Sequence, residues 1–118
     1  MTSPAHGSKR FSSQQLIDLA HLARQTLGDQ SLEQEILRLF HTQSAIYGER
    51  VANACDRSSC QEAAHTLKGS ARGIGAWSVA SAAEKVEKAP RTDKGSIADL
   101  QQAIDETRSY INSLLVAA

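Results

Sequence analysis

The chain has 118 residues, with thirteen lysines and arginines against thirteen aspartates and glutamates and no net formal charge. That length suits one core rather than a catalytic domain beside a regulatory one, and the charge balance excludes a whole-chain footprint for nucleic acid or an anionic membrane. No apolar run approaches the ~20 residues that span a bilayer, and Cys55 and Cys60 show no metal-type repeat and follow no secretory apolar segment, so the expectation is a soluble, cytoplasmic protein with reduced thiols.

Residues 1–10, MTSPAHGSKR, carry Pro, Gly and Ser without apolar period and read as a disordered tail, with one domain over 11–118. The N-terminal Met and polar tail favour a complete small protein. Ser12-x-x-Gln15 opens a first short helix with Leu16, Leu19, Ala20, Ala23 and Leu27 at helical spacing, stopped by Gly28. A long second helix follows Asp29 or Ser31, with Leu32, Ile36, Leu39, Phe40, Ile46, Tyr47, Val51 and Ala54 as its stripe; Phe40, Ile46 and Tyr47 are expected inside. Ser59-x-x-Glu62 caps a third helix with a stripe of Cys60, Ala64, Leu67, Ala71 and Ile74, ended by Gly73 and Gly75. A fourth runs from about Trp77 to Lys88, burying Val79, Ala82, Ala83 and Val86, and is closed by Pro90. Ser96 starts a fifth, with Ile97, Leu100, Ile104, Ile111 and Leu114 on one face. Sparse Gly and Pro with abundant Ala, Leu, Gln and Ser favour helix throughout. The predicted fold is all-α: an antiparallel up-down four-helix bundle with an additional short N-terminal helix.

The stretch AHTLKGSARGIG, residues 64–75, holds the candidate chemistry. At ~100° per residue, Gln61, His65, Lys68, Gly69 and Arg72 share one side of the third helix, about 130° from its apolar stripe, which turns His65 outward. Lys68 stands one turn from the imidazole, where its ammonium can hold an anion carried by the ring. Gly69, at i+4, leaves backbone bare where any side chain would overhang the ring, despite a cost of about 1 kcal/mol relative to Ala. The set suits a nucleophile approached by a bulky partner, with a phosphoryl group as its load. Arg72 adds positive potential or is a solvated arginine.

HTLKGSARGIGAWSVASAAEKVE resembles the signature of histidine-containing phosphotransfer (HPt) domains, and LGDQSLEQEILRLFHTQ is similar to their upstream helix, so the likeness covers roughly residues 12–115. The resemblance implies a phosphorelay carrier: His65 as phosphoacceptor, Lys68 as phosphate-stabilising cation and Gly69 as the gap that admits a receiver domain. Donor and acceptor would be aspartates of response-regulator receiver domains or a hybrid histidine kinase. The chain itself would need no cofactor, Mg²⁺ belonging to the receiver's acidic pocket. Glu87 is expected to accept a hydrogen bond from Nδ1–H of His65, with Glu84 as competitor for that role and a solvated helix-end glutamate as the other reading. Receiver docking would use apolar residues around His65 on the first three helices; Trp77 could belong to the core or to that patch.

Other chemistries have less support. Glu62-x-x-His65 is one half of a di-metal carboxylate site whose second half is missing, and His21 and His41 read as surface or helix-end residues, so no metal is expected. GSARGIG lacks the Gly-Lys-Ser/Thr ending of a phosphate loop and follows no strand, which argues against nucleotide binding and autonomous kinase activity. No paired carboxylate, serine or cysteine constellation supports an enzyme with His65 as base. The expectation is a monomeric phosphocarrier, not an enzyme, with a non-transferring docking module for receiver domains as the alternative.

Overall fold

A computed structural model describes residues 16–89 and 93–117. Among the described residues five helices follow one another: α1 (Leu19–Thr26), α2 (Gln30–Asn53), α3 (Arg57–Ile74), α4 (Trp77–Lys88) and α5 (Lys94–Ala117). No strand occurs among the described residues, and no described helix is long and apolar enough to cross a membrane. Helices α2 to α5 close a ring in which α3 packs on α2 and α4, and α5 packs on α4 and α2; α1 lies across α2 and α3. Short links force sequence neighbours to run antiparallel, giving the up-down bundle with a small extra helix.

The third helix buries the whole expected stripe, Cys60, Ala64, Leu67, Ala71 and Ile74. Its N-cap is not Ser59 but Asp56, whose carboxylate accepts the Ser59 N–H at 2.7 Å, so the helix begins earlier at Arg57. Gly73 does not end it either. The chain stays helical through Ile74 and leaves at Gly75, in the left-handed region at φ 82°. A side chain at Gly75 would be strained twice, by that φ and by a Cβ placed 2.8 Å from Asp18 Cβ.

The same contact corrects α1. Asp18 donates its N–H to the Gly75 carbonyl at 2.9 Å, accepts the His21 N–H on Oδ1 and accepts the Trp77 indole N–H on Oδ2 at 3.0 Å. These bonds hold Asp18 in extended backbone, so α1 begins at Leu19 with Asp18 as its cap. The Ser12 capping box and the 1–10 tail lie outside the described residues. The break also resets the helical phase: Ile17, Leu22 and Thr26 are buried while Leu19 and Leu27 are exposed. The left-handed cap is Leu27 itself, one residue before Gly28.

In α2 the cap is Asp29, which accepts the Leu32 N–H at 3.1 Å, but the buried face is Leu37, Phe40, Ser44, Gly48 and Val51. Leu32, Leu39 and Ile46 are exposed and Tyr47 half-buried, against the expectation for Ile46 and Tyr47. Gly48 is the reason α2 and α5 approach closely, since a Cβ there would sit 2.8 Å from Ile104 Cδ1. His41 is neither a helix-end nor a freely solvated residue. It is half-buried within α2, its carbonyl accepts from Arg108 Nε at 2.8 Å, and burial pulls its imidazole pKa down.

Helix α4 has the predicted bounds and buries Val79, Ala83 and Val86, with Ala82 only half-buried. Pro90 lies outside the described residues. Helix α5 starts at Lys94 rather than Ser96, because the Asp93 carboxylate takes the Gly95 N–H and the Ser96 hydroxyl, both at 2.9 Å. Leu100, Ile104 and Ile111 are buried, and Ile97 and Leu114 pack half-buried against them.

Candidate functional site

The core stripe of α3 turns its opposite face to solvent, and His65 stands there with a side chain 68% exposed. Its Nδ1 lies 2.7 Å from Glu87 Oε2, on the last turn of α4. The Lys68 ammonium pairs with the other carboxylate oxygen at 2.6 Å and is 13% exposed in the seam between α3 and α4. One carboxylate therefore bridges the imidazole and the ammonium.

The hydrogen bond with Lys68, followed by that with His65, holds the Glu87 carboxyl below its usual value of 4.5, against the opposing effect of burial. Glu87 is thus ionised at neutral pH and can only accept hydrogen bonds, so Nδ1 carries the proton. In the neutral ring the lone pair then belongs to Nε2, which has no protein partner among the described residues. The ring is oriented and tautomer-selected on one side and open on the other.

Glu84, one turn earlier, is engaged elsewhere. It pairs with Lys88 at 2.7 Å, which together with the nearby cations lowers its pKa, and it meets Arg72 at 3.4 Å. Arg72 thus leans along α4 toward Glu84. Its carbonyl accepts a hydrogen bond from His21 Nε2 at 3.1 Å, which places that histidine at the C-terminal end of α3. Trp77 is 42% exposed and joins the same corner, its indole edge-on to His21 with ring centroids 5.0 Å apart. Neither side chain shares a hydrogen bond or ion pair with His65.

On the α2 side of His65 the helix carries the exposed Glu62 and Thr66 and, beyond them, two glycines. Gly69 and Gly73 are exposed, one and two turns beyond His65, and a Cβ built on either meets nothing within 4 Å. No packing inside the described chain requires these glycines, although each weakens the helix. Beyond them lies a shallow pocket of about 190 Å³ lined by Ile36, Leu39, Phe40, Gln43, Ser70 and Ile74. Leu39, on its rim, is 58% exposed.

Cys55 is exposed and free; Cys60 is free and buried, and burial raises its thiol pKa. No group of three or more His, Cys, Asp or Glu side chains that could hold a metal ion occurs among the described residues.

Sequence reasoning placed Gln61 on the His65 face without giving it a partner. In the structure its carboxamide donates to the Glu87 carbonyl at 2.8 Å. The spacing of Gln61, His65 and Lys68, successive polar positions on one helix face, was the available signal, but the helix that receives them cannot be read from α3 alone.

No curated protein and no solved structure matches the chain. The Hpt domain family profile matches residues 9–116, which includes every described helix except Ala117, the last residue of α5. An all-helical bundle with a histidine presented from one of its helices agrees with that match, and the chain belongs to the Hpt domain family, the phosphotransfer modules of two-component signalling.

Proposed function

We propose that this chain is a phosphocarrier in a phosphorelay and that His65 is its phosphoacceptor. The observation that carries the reading is the imidazole itself: exposed, with Nδ1–H held by an ionised Glu87 and the Nε2 lone pair free. In the transfer, Nε2 attacks the phosphorus of an aspartyl phosphate in a receiver domain. The N–P bond forms, the P–O bond to the carboxyl group breaks, and the aspartate leaves as carboxylate. Positive charge that develops on the ring is balanced by Glu87 through the shared Nδ1 proton. The reverse step delivers the phosphoryl group to an aspartate of another receiver; a hybrid histidine kinase is the other donor that the reading allows.

Lys68 begins the cycle paired with Glu87, one turn from the ring. A phosphoryl group on Nε2 offers it a second anion, and the flexible ammonium moves to those oxygens, which stabilises the loaded form. Arg72, drawn to Glu84, supplies positive potential rather than a direct contact. Gly69 leaves room for the receiver's active site, and the exposed Leu39 beside Ile36 offers that receiver an apolar seat. The chemistry asks for no cofactor in this chain, Mg²⁺ being held by the acidic pocket of the receiver. No step requires nucleotide, so the chain acts as a carrier without kinase activity of its own, monomeric and in the cytoplasm.

Incubation with a ³²P-labelled phosphorylated receiver and Mg²⁺ tests the proposal. The expected result is acid-labile, base-stable label on the wild type and none on His65→Gln, with the two proteins giving the same helical circular dichroism. Full labelling of His65→Gln would reject His65 as acceptor. Unlabelled wild type that still binds receivers would make the chain a docking module.

A further inference from the structure

Helix α4 ends without the device that ends α3. After Lys88 comes Ala89 in extended backbone, at φ −62° and ψ 136°, where α3 has a left-handed glycine. The last carbonyls of a helix need partners from outside its own ladder, and here α3 provides them. Gln61 Nε2 donates to the Glu87 carbonyl at 2.8 Å, and Arg57 Nε and Nη2 both donate to the Ala89 carbonyl at 3.3 Å. Residues 57, 61, 65 and 68 follow one another at i, i+4, i+8 and i+11, on the face of α3 that meets α4.

Glu87 is consequently held at three atoms by three α3 side chains: its backbone oxygen by Gln61, Oε2 by His65 and Oε1 by Lys68. Two of these bonds change when the site is loaded, since the imidazole gains positive charge and the ammonium gains a competing anion. The Gln61 bond involves a neutral amide and a backbone carbonyl, and it stays the same throughout. We propose that Gln61 is a positioning residue: by anchoring the last turn of α4 it keeps the Glu87 carboxylate on Nδ1 of His65 while Lys68 changes partners. Without that anchor the terminal turn frays, as uncapped helix ends do, and the carboxylate samples positions away from the ring. The consequence for transfer rests on the phosphocarrier reading; the consequence for the imidazole tautomer does not.

Gln61→Met keeps the length of the side chain and removes the donor. In the free protein, ¹⁵N shifts of the His65 ring, read at a pH where the ring is neutral, report which nitrogen carries the proton. The expected result is mainly Nδ1–H in the wild type and a larger share of Nε2–H in Gln61→Met. Phosphoryl acceptance should fall about fivefold, the order expected for the loss of one neutral hydrogen bond. In a Glu87→Ala background, Gln61→Met should change neither the ring tautomer nor the rate, because Gln61 acts through Glu87. An unchanged tautomer ratio in Gln61→Met, or equal effects in both backgrounds, would overturn the proposal and leave Gln61 a structural cap. A wild type that accepts no phosphoryl group would count against the carrier reading alone, with the tautomer measurement still deciding the role of Gln61.

Discussion

His65 divides the exposed face of α3 into two unlike flanks. Toward α4 every long polar side chain is tied down: Gln61 and Lys68 to Glu87, Arg72 to Glu84. Toward α2, past the exposed Glu62 and Thr66, the helix presents Gly69 and Gly73, where an added Cβ would meet nothing within 4 Å, and then a shallow apolar pocket. The first flank fixes the ring and its protons; the second leaves open space at the turns that follow the ring. A histidine that only served folding would not need the second, since its glycines weaken α3 and fill no internal contact. On the carrier reading, the division separates tuning of the nucleophile from admission of its partner, so each can be altered while the other stays.

The most damaging alteration should be bulk on the open flank. Gly69→Gln places a side chain where the protein itself has open space, so the bundle should fold and Nδ1 should remain on Glu87. Transfer from a phosphorylated receiver should nevertheless fall by about 100-fold, the scale at which small misplacements disable transfer geometry. Labelling by a small donor such as phosphoramidate should stay within about twofold of wild type on the same reasoning. Equal loss with both donors would show that the flanks are not separable.

Acid should undo the other flank. The Glu87 carboxyl titrates lower in the folded protein than in the unfolded chain, chiefly through Lys68 and His65. Its contribution to stability is therefore complete above the ordinary carboxylate value, and it is lost as the pH falls through that value toward the depressed folded one. Urea denaturation of wild type and Glu87→Gln should show the wild type more stable at pH 7, with the gap closing as the pH falls below the ordinary carboxylate range. A gap that persists at acid pH would mean that the bridge stabilises by shape rather than by charge.

The two flanks were not equally legible in the sequence. Which face of α3 looks outward followed from five apolar residues at helical spacing, and every one of them is buried. The α2 face was misread because its core positions include Ser44 and Gly48, which carry no hydropathy signal. Ser59 has the right chemistry for a cap, but Asp56 precedes it and takes its N–H; a one-turn error of this kind arises wherever two capping residues stand three apart. The choice between Glu84 and Glu87 depended on the relative rotation of α3 and α4. That rotation is set by the two-residue turn at Gly75 and by the caps that Arg57 and Gln61 place on α4, contacts between residues 26 and 32 positions apart that no local pattern contains. The glycines of the open flank were visible as letters, yet Gly73 looked like a stop signal because nothing in the sequence says that the helix continues past it.

That misreading yields the mildest prediction. If Gly73 ended the helix, as Gly75 does, alanine there would be strained and destabilising. Gly73 instead lies inside α3 with no positive φ, and a Cβ added to it would have open space around it. Gly73→Ala should therefore stabilise the fold by about 0.5–1 kcal/mol, through helix propensity and the reduced freedom of the unfolded chain. For a domain of this size that is a rise in Tm of roughly 2–8 °C, measurable by calorimetry. One methyl group is small beside a glutamine side chain, so transfer from the receiver should fall far less than in Gly69→Gln. A stabilised protein with reduced transfer would mean that α3 gives up helix stability at Gly73 to keep the path to His65 clear. A stabilised protein with unchanged transfer would end the open flank at Gly69 and place the partner's footprint over the ring and the first turn beyond it.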